Sequence, residues 1–144
     1  MPAKFLPGFY FAITTIASTF LLVSAMANEE TIHIELNKLE TQDKACRAYL
    51  VLKNDTALDI KAFQLDLVLF DSDGLIANRL ALDLAPLPIA KTSVKLFDIP
   101  ETSCATVGQL LLNSILRCET DSGPIDNCLR LITLGARGNA GFIK

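Results

Sequence analysis

The fold of this chain is decided by the stretch FQLDLVLFDSDGL, residues 63–75. Apolar residues occupy alternate positions from 63 to 69, and a period of two is typical of a β-strand. The positions between them include Val68 and Phe70, so the opposite face of this strand is only partly polar. We therefore expect a strand in the interior of a sheet. Its fully apolar face would be formed by Phe63, Leu65, Leu67 and Leu69.

The end of this stretch, DSDGL at residues 71–75, could be either a calcium loop or a hairpin turn. A loop of the EF-hand type needs a glycine at its sixth position and a glutamate at its twelfth. Counted from Asp71, the glycine is fourth and the twelfth residue is Leu82, so we predict no calcium site. A tight turn fits better, because Gly74 accepts positive φ angles and the Asp71 carboxylate can bond the backbone two residues on.

Similar alternation recurs on both sides of this strand, with turn signals between the runs. The segment 107–116 fits a helical face as well as a strand, but Gly108 and Asn113 are poor helix residues, so we predict a strand. About seven antiparallel strands of this spacing predict an all-β, immunoglobulin-like β-sandwich. Residues 28–144 would form this single domain, with a loosely ordered tail at 135–144. The expected strands are 32–37, 46–53, 63–70, 76–84, 92–97, 107–116 and 129–134.

The first 27 residues predict an export signal. Lys4 precedes an apolar run at 5–23, and Ala25-Met26-Ala27 supplies the small-x-small pattern that signal peptidase recognises. We expect cleavage after Ala27, a Sec-type route and a periplasmic or secreted protein without membrane attachment. The alternative is an inner-membrane protein anchored by an uncleaved helix at 5–26, because the run is almost long enough to span a bilayer.

The four cysteines all follow the predicted cleavage site, and an even number in an oxidising compartment predicts two disulfides. In seven strands that run alternately up and down, Cys46 and Cys104 lie at one end of the sandwich. Cys118 and Cys128 lie at the other end. Two cysteines can be joined only when their Cα atoms come within about 7 Å, so we predict the pairs Cys46–Cys104 and Cys118–Cys128. Zinc is disfavoured because no Cys-x-x-Cys pair is present.

No set of residues predicts catalysis, a cofactor or a metal. The chain has a net charge of −3 with scattered charges, which gives no basic patch for nucleic acid. The single histidine, His33, alternates with apolar residues and is expected on a solvated strand face. Asp71 and Asp73 are expected at a solvated hairpin tip, an environment that disfavours a role in acid–base catalysis near neutrality. We therefore predict a protein that is not an enzyme.

The run LVLFD at 67–71, followed by Gly74, a strand and a proline-containing turn, resembles the FxLyD family of small extracytoplasmic β-sandwich domains. VLKNDT at 51–56 is similar to the strand and asparagine turn of that family. Leu67 stands where the family has Phe and Phe70 where it has Tyr, so the motif is partly kept. The chain is also similar to short exported four-cysteine proteins of Gram-negative bacteria that have no assigned activity. The resemblance implies a sandwich and a non-catalytic role, and it implies no ligand.

Three functions follow as hypotheses. The first is a periplasmic binding or envelope-associated module, which would contact a protein partner through an exposed strand edge or through end loops such as 119–127 and the hairpin tip. The second is an accessory subunit of an envelope complex, suggested by apolar positions on both faces of the strand at 63–70. The third is an unrecognised hydrolase, which would need a pocket lined by His33 and carboxylates.

Overall fold

The computed structural model describes residues 1–4, 8 and 30–144. Apart from Gly8, the predicted apolar run at 5–23 lies outside the described residues, as does the cleavage site after Ala27. Within the described residues, no helix is long and apolar enough to cross a membrane.

The described chain forms nine β-strands and two short 3-10 turns, and it contains no α-helix. All seven predicted strands have a counterpart, although the last begins at Ile132, and the sequence at 107–116 belongs to a long strand rather than a helix. The strands are β1 (Ile32–Gln42), β2 (Ala45–Asn54), β3 (Ala62–Asp71), β4 (Ile76–Asp83), β5 (Thr92–Pro100), β6 (Val107–Thr120), β7 (Gly123–Pro124), β8 (Ile132–Ala136) and β9 (Gly141–Ile143).

The strands form two sheets, with the orders β5-β2-β1-β8 and β4-β3-β6-β7, and β9 also pairs with β6. The chain crosses between the sheets after β2, β4, β5, β7 and β8, and the two sheets form an immunoglobulin-like sandwich. The prediction of antiparallel strands needs one correction. β8 pairs with β1 in parallel, and β9 pairs with β6 in parallel, so the end of the chain contributes one strand to each sheet. β5 and β4 are therefore edge strands at one end of the two strand orders, and β8 of the first sheet and β7 and β9 of the second lie at the other end.

The core lies between the two sheets and is built from the alternating apolar positions. Phe63 and Leu65 of β3 are almost fully buried, as the sequence predicts, and they face residues such as Ile34 and Leu50 of the other sheet. Burial of one such side chain contributes about 1.5–3 kcal/mol relative to its exposure to water. β3 lies between β4 and β6, which confirms the expectation of an interior strand.

Residues 71–75 form the predicted hairpin turn between β3 and β4. The Asp71 carboxylate accepts hydrogen bonds from the backbone N–H of Asp73, at 3.0 Å, and of Leu75, at 2.9 Å. Gly74 has a φ of 80°, a conformation that favours glycine because it has no Cβ. The turn therefore uses the aspartate as a local acceptor for main-chain donors.

The end of the chain differs from the sequence prediction. The expected strand at 129–134 begins instead with a 3-10 turn, Cys128–Leu131, and the strand β8 starts at Ile132. The tail expected to be loosely ordered contains the end of β8 and all of β9, and its Phe142 is buried in the core. The glycines of this segment masked its strand pattern, because β9 contains one apolar anchor rather than an alternating run.

Two disulfides join Cys46 to Cys104 and Cys118 to Cys128, the pairs that the strand directions predict. Their Cα–Cα distances are 4.9 and 6.3 Å, within the range that a disulfide spans. Two disulfides indicate an oxidising, extracytoplasmic environment.

Asn54 organises the loop after β2 at the other end of the sandwich from the β3–β4 turn. It is buried, and its Nδ2 donates to the carbonyl oxygens of Leu58 and Leu87, each at 2.8 Å. Its Oδ1 accepts from the backbone N–H and the hydroxyl of Thr56, at 3.0 and 2.7 Å. One amide side chain thus satisfies groups of two separate loops, which explains the asparagine of the VLKNDT segment.

Candidate interaction surface

An apolar patch lies on the outer face of the first sheet, at its β5 edge. Val94 and Leu96 of β5 are 61% and 56% exposed, although both are large apolar side chains. The strand register places them opposite Val51 and Tyr49 of β2, which are half-buried. These four residues, called here the β5 edge patch, form one continuous apolar surface beside a strand that has a neighbour on one side only.

The rim of the β5 edge patch is charged and its charges are paired. Arg47 donates to both carboxylate oxygens of Asp98, at 2.7 and 2.9 Å, and this pairing lowers the pKa of Asp98. The Lys38 ammonium lies 5.3 Å from the centre of the Tyr49 ring and forms an ion pair with Glu40. The Tyr49 hydroxyl donates to Glu40 as well, at 3.3 Å. A polar rim around an apolar centre is typical of protein–protein interfaces.

The other face of β5 is turned toward the core of the sandwich. Lys95 pairs in register with Leu50 of β2, which is fully buried, so both side chains lie on the core side of the sheet. The Lys95 ammonium donates to the carbonyl oxygen of Ala85, at 3.1 Å, on the connection between β4 and β5. This hydrogen bond joins β5 to the segment that follows β4.

A buried carboxylate lies on the outer face of the second sheet. Asp66 of β3 is 4% exposed and accepts two hydrogen bonds from Arg79 of β4, at 2.8 and 2.9 Å. Asn113 and Ser114 of β6 donate to it at 2.6 and 3.2 Å. The guanidinium of Arg79 and the amide of Asn113 hold the pKa of Asp66 well below its usual range. The sequence placed Asp66 on this face but gave no sign of its partners, because they come from two other strands.

Apolar residues continue along the same face toward the β3–β4 turn. Phe70 and Leu111 are half-buried, and Ile76 and Ile143 are 69% and 43% exposed. The registers of β3, β4, β6 and β9 place these four residues in adjacent rows. We call them the outer-face patch. They extend the apolar positions that the sequence showed on the second face of the strand at 63–70.

The residues considered for chemistry lie apart from one another. His33 is on the outer face of the first sheet, where its Nδ1 lies 3.0 Å from the Thr133 hydroxyl oxygen. Asp71 and Asp73 are at the β3–β4 turn, at the opposite end of the sandwich from the loop 119–127. Within residues 30–144, no group of three or more His, Cys, Asp or Glu side chains could hold a metal ion.

A depression of about 480 Å³ lies beside the Cys46–Cys104 disulfide, between the end of β1 and the β8–β9 connection. It is lined by Asn37, Lys38 and Arg137 together with small residues such as Ala105 and Gly138. Its polar side chains sit at an open mouth, and the Arg137 guanidinium already donates to Glu35 at 2.8 Å. The arrangement offers no buried polar group aimed at a ligand.

Comparison of the chain with known protein families, with curated proteins and with solved structures finds no match. The resemblance to FxLyD domains therefore stays a prediction. Sequence reasoning had also not singled out Val94 and Leu96. Their alternation with Lys95 and Phe97 was visible, but a strand with apolar residues on both faces does not reveal which face is buried. The exposed face follows only from the pairing of β5 with β2.

Proposed function

We propose that the chain is an exported, non-enzymatic module of the bacterial periplasm that binds a protein partner by strand addition at β5. The observation that carries this proposal is the exposure of Val94 and Leu96 on an edge strand. Edge strands present unpaired backbone N–H and C=O groups, which are a template for another strand. Main-chain hydrogen bonds would supply affinity, and the β5 edge patch would receive alternate side chains of the partner.

The length and composition of β5 support this mode of binding. The strand has nine residues, and its one proline, Pro100, is the last of them. A partner strand could thus bond the backbone over most of its length without meeting a residue that lacks an N–H. Export and the two disulfides fit a binding module that works outside the cytoplasm, where a small core is stabilised by covalent links.

Site-specific photocross-linking in the producing bacterium tests this proposal. A photoreactive amino acid would replace Leu96 in one strain and Ile143, on the outer-face patch, in another. We expect one defined partner cross-linked from position 96. We also expect the isolated complex to show slowed amide hydrogen exchange along β5. Equal cross-linking from both positions, or a complex in which exchange along β5 is unchanged, would refute strand addition.

The second candidate function is an accessory subunit of an envelope complex that binds through the outer-face patch. It is favoured by the exposure of Ile76 and Ile143 beside the half-buried Phe70. The same pair of strains separates the two functions, because this alternative predicts cross-links from position 143 and none from position 96.

A further inference from the structure

Lys95 places a positive charge on the core-side face of the edge strand β5. It lies in the middle of the strand, with Val94 and Leu96 on either side pointing to the opposite face. Its neighbours on its own face are Ser93 and Phe97, both half-buried. Its ammonium meets only the neutral carbonyl oxygen of Ala85. A partner strand laid along β5 would cover this charge further.

Lys95 forms no ion pair with a carboxylate within residues 30–144. The ion pairs of the described chain involve other cations, including Lys38, Arg47 and Lys53 around the β5 edge patch. Removing a charge from water is unfavourable unless an opposite charge or several hydrogen bonds replace the lost solvent. The affinity of an added strand would therefore depend on the side chain that it places against Lys95.

We infer that the β5 edge selects an extended segment in which one acidic residue stands between two apolar residues. Alternate side chains of a strand point to opposite faces. An added strand in this register turns its acidic side chain toward Lys95 and its two apolar side chains toward the β5 edge patch. The inference rests on the proposed function and deepens it, because it names the chemistry of the partner strand from the two faces of β5.

Lys95 has a competing role as an edge guard. Inward-pointing lysines on edge strands discourage pairing with other chains. An edge guard prevents every strand from pairing with β5, and pairing becomes possible when the lysine charge is removed. If Lys95 instead selects the partner, β5 binds strands with an acidic residue most tightly, and reversing the charge at position 95 reverses that order of affinities. The two roles therefore predict different results for the same set of peptides.

Fluorescence anisotropy with three labelled nine-residue peptides tests the inference on the full chain with both disulfides formed. The peptides are identical except for a central glutamate, glutamine or lysine between two valines. We expect the glutamate peptide to bind about tenfold more tightly than the lysine peptide, a ratio typical of one close interfacial charge pair. The ratio should fall as salt is added, because salt screens a partly exposed pair. Lys95→Glu should reverse the order of affinities.

Three further variants, Lys91→Glu, Leu96→Lys and Lys95→Thr, separate the possible failures. Lys91→Glu makes the same change of net charge just before β5 and should leave the order of affinities unchanged. Leu96→Lys should weaken the binding of all three peptides. If the peptides bind equally well and Leu96→Lys weakens them, strand addition holds and charge selection is wrong. If they bind only to Lys95→Thr, Lys95 is a guard and the inference is wrong. If no variant binds any peptide, strand addition at β5 is itself refuted.

Discussion

Gly108 lies where the start of β6 passes under the β3–β4 turn, and it offers a sharp test of the packing. A Cβ at this position would lie 2.3 Å from the carbonyl oxygen and 2.8 Å from the carbonyl carbon of Asp71, and 3.1 Å from the Cα of Ser72. All three atoms are backbone, so no side chain can rotate away. Gly108 is not among the residues with positive φ, so alanine is compatible with its local conformation. The expected loss of stability in Gly108→Ala therefore comes from this steric clash alone.

The overlap approaches 1 Å, and strain of this kind costs about 1–3 kcal/mol in a packed protein. That cost corresponds to a decrease in Tm of roughly 3–15 °C for a domain of this size. The control is Gly135→Ala in β8, where the nearest atoms are the Cε1 and Nε2 of His33, at 3.3 and 3.4 Å. That ring can turn aside. Both substitutions reduce the entropy of the unfolded chain by a similar amount, so their difference isolates the clash.

Thermal unfolding followed by circular dichroism, with both disulfides intact, provides the comparison. Gly108→Ala should unfold at a clearly lower temperature than Gly135→Ala. Amide hydrogen exchange should also quicken at Ser72, whose N–H donates to the carbonyl oxygen of Thr106 at 3.0 Å. If Gly108→Ala is as stable as Gly135→Ala, the close approach of β6 to the turn is wrong.

Three further predictions concern stability. Asn54→Ala removes a buried amide that hydrogen-bonds to groups of two loops, and it should lower the free energy of unfolding by about 2–4 kcal/mol in urea titrations. An unchanged urea midpoint would contradict this hydrogen-bond network. Asp66 has a pKa below its usual range, so its ionised form stabilises the fold above about pH 4, and this contribution is lost as the pH falls below the ordinary aspartate value. Asp66→Asn should thus lose less stability than the wild type between pH 5 and pH 2. Replacing both cysteines of the Cys46–Cys104 disulfide, which spans 58 residues, should lower the free energy of unfolding by about 4 kcal/mol through chain entropy. The same change at the Cys118–Cys128 disulfide, which spans 10 residues, should lower it by about 3 kcal/mol. Thermal unfolding that ranks the two pairs in the opposite order would contradict this prediction.

The sequence predicts the main strands well because each has a long alternating run and a clear turn signal. The strand at 63–70 and its turn are the best example, since period, glycine and aspartate all agree. The same reasoning predicts the disulfides, because strand direction alone determines which cysteines share an end of the sandwich. These features depend on residues that are close together in the sequence or on the alternation of strand direction.

The features that the sequence does not predict depend on pairing between distant strands. Gly108 looks like a poor helix residue, and its real constraint comes from the backbone of Asp71 in another strand. Phe142 looks like part of a loose tail, and its burial comes from the pairing of β9 with β6. The exposure of Leu96 depends on which face of β5 meets the core. Such properties follow from register and topology, which single-strand patterns do not contain.

Strand addition requires β5 to accept a second strand along its free edge. The most direct measurement is amide hydrogen exchange by NMR on the full chain, with and without the peptide that carries the central glutamate. Strand addition predicts new protection confined to residues 92–100, with the strongest effects near Lys95. Protection at the outer-face patch, or an unchanged exchange profile along β5 in a saturated complex, would contradict it.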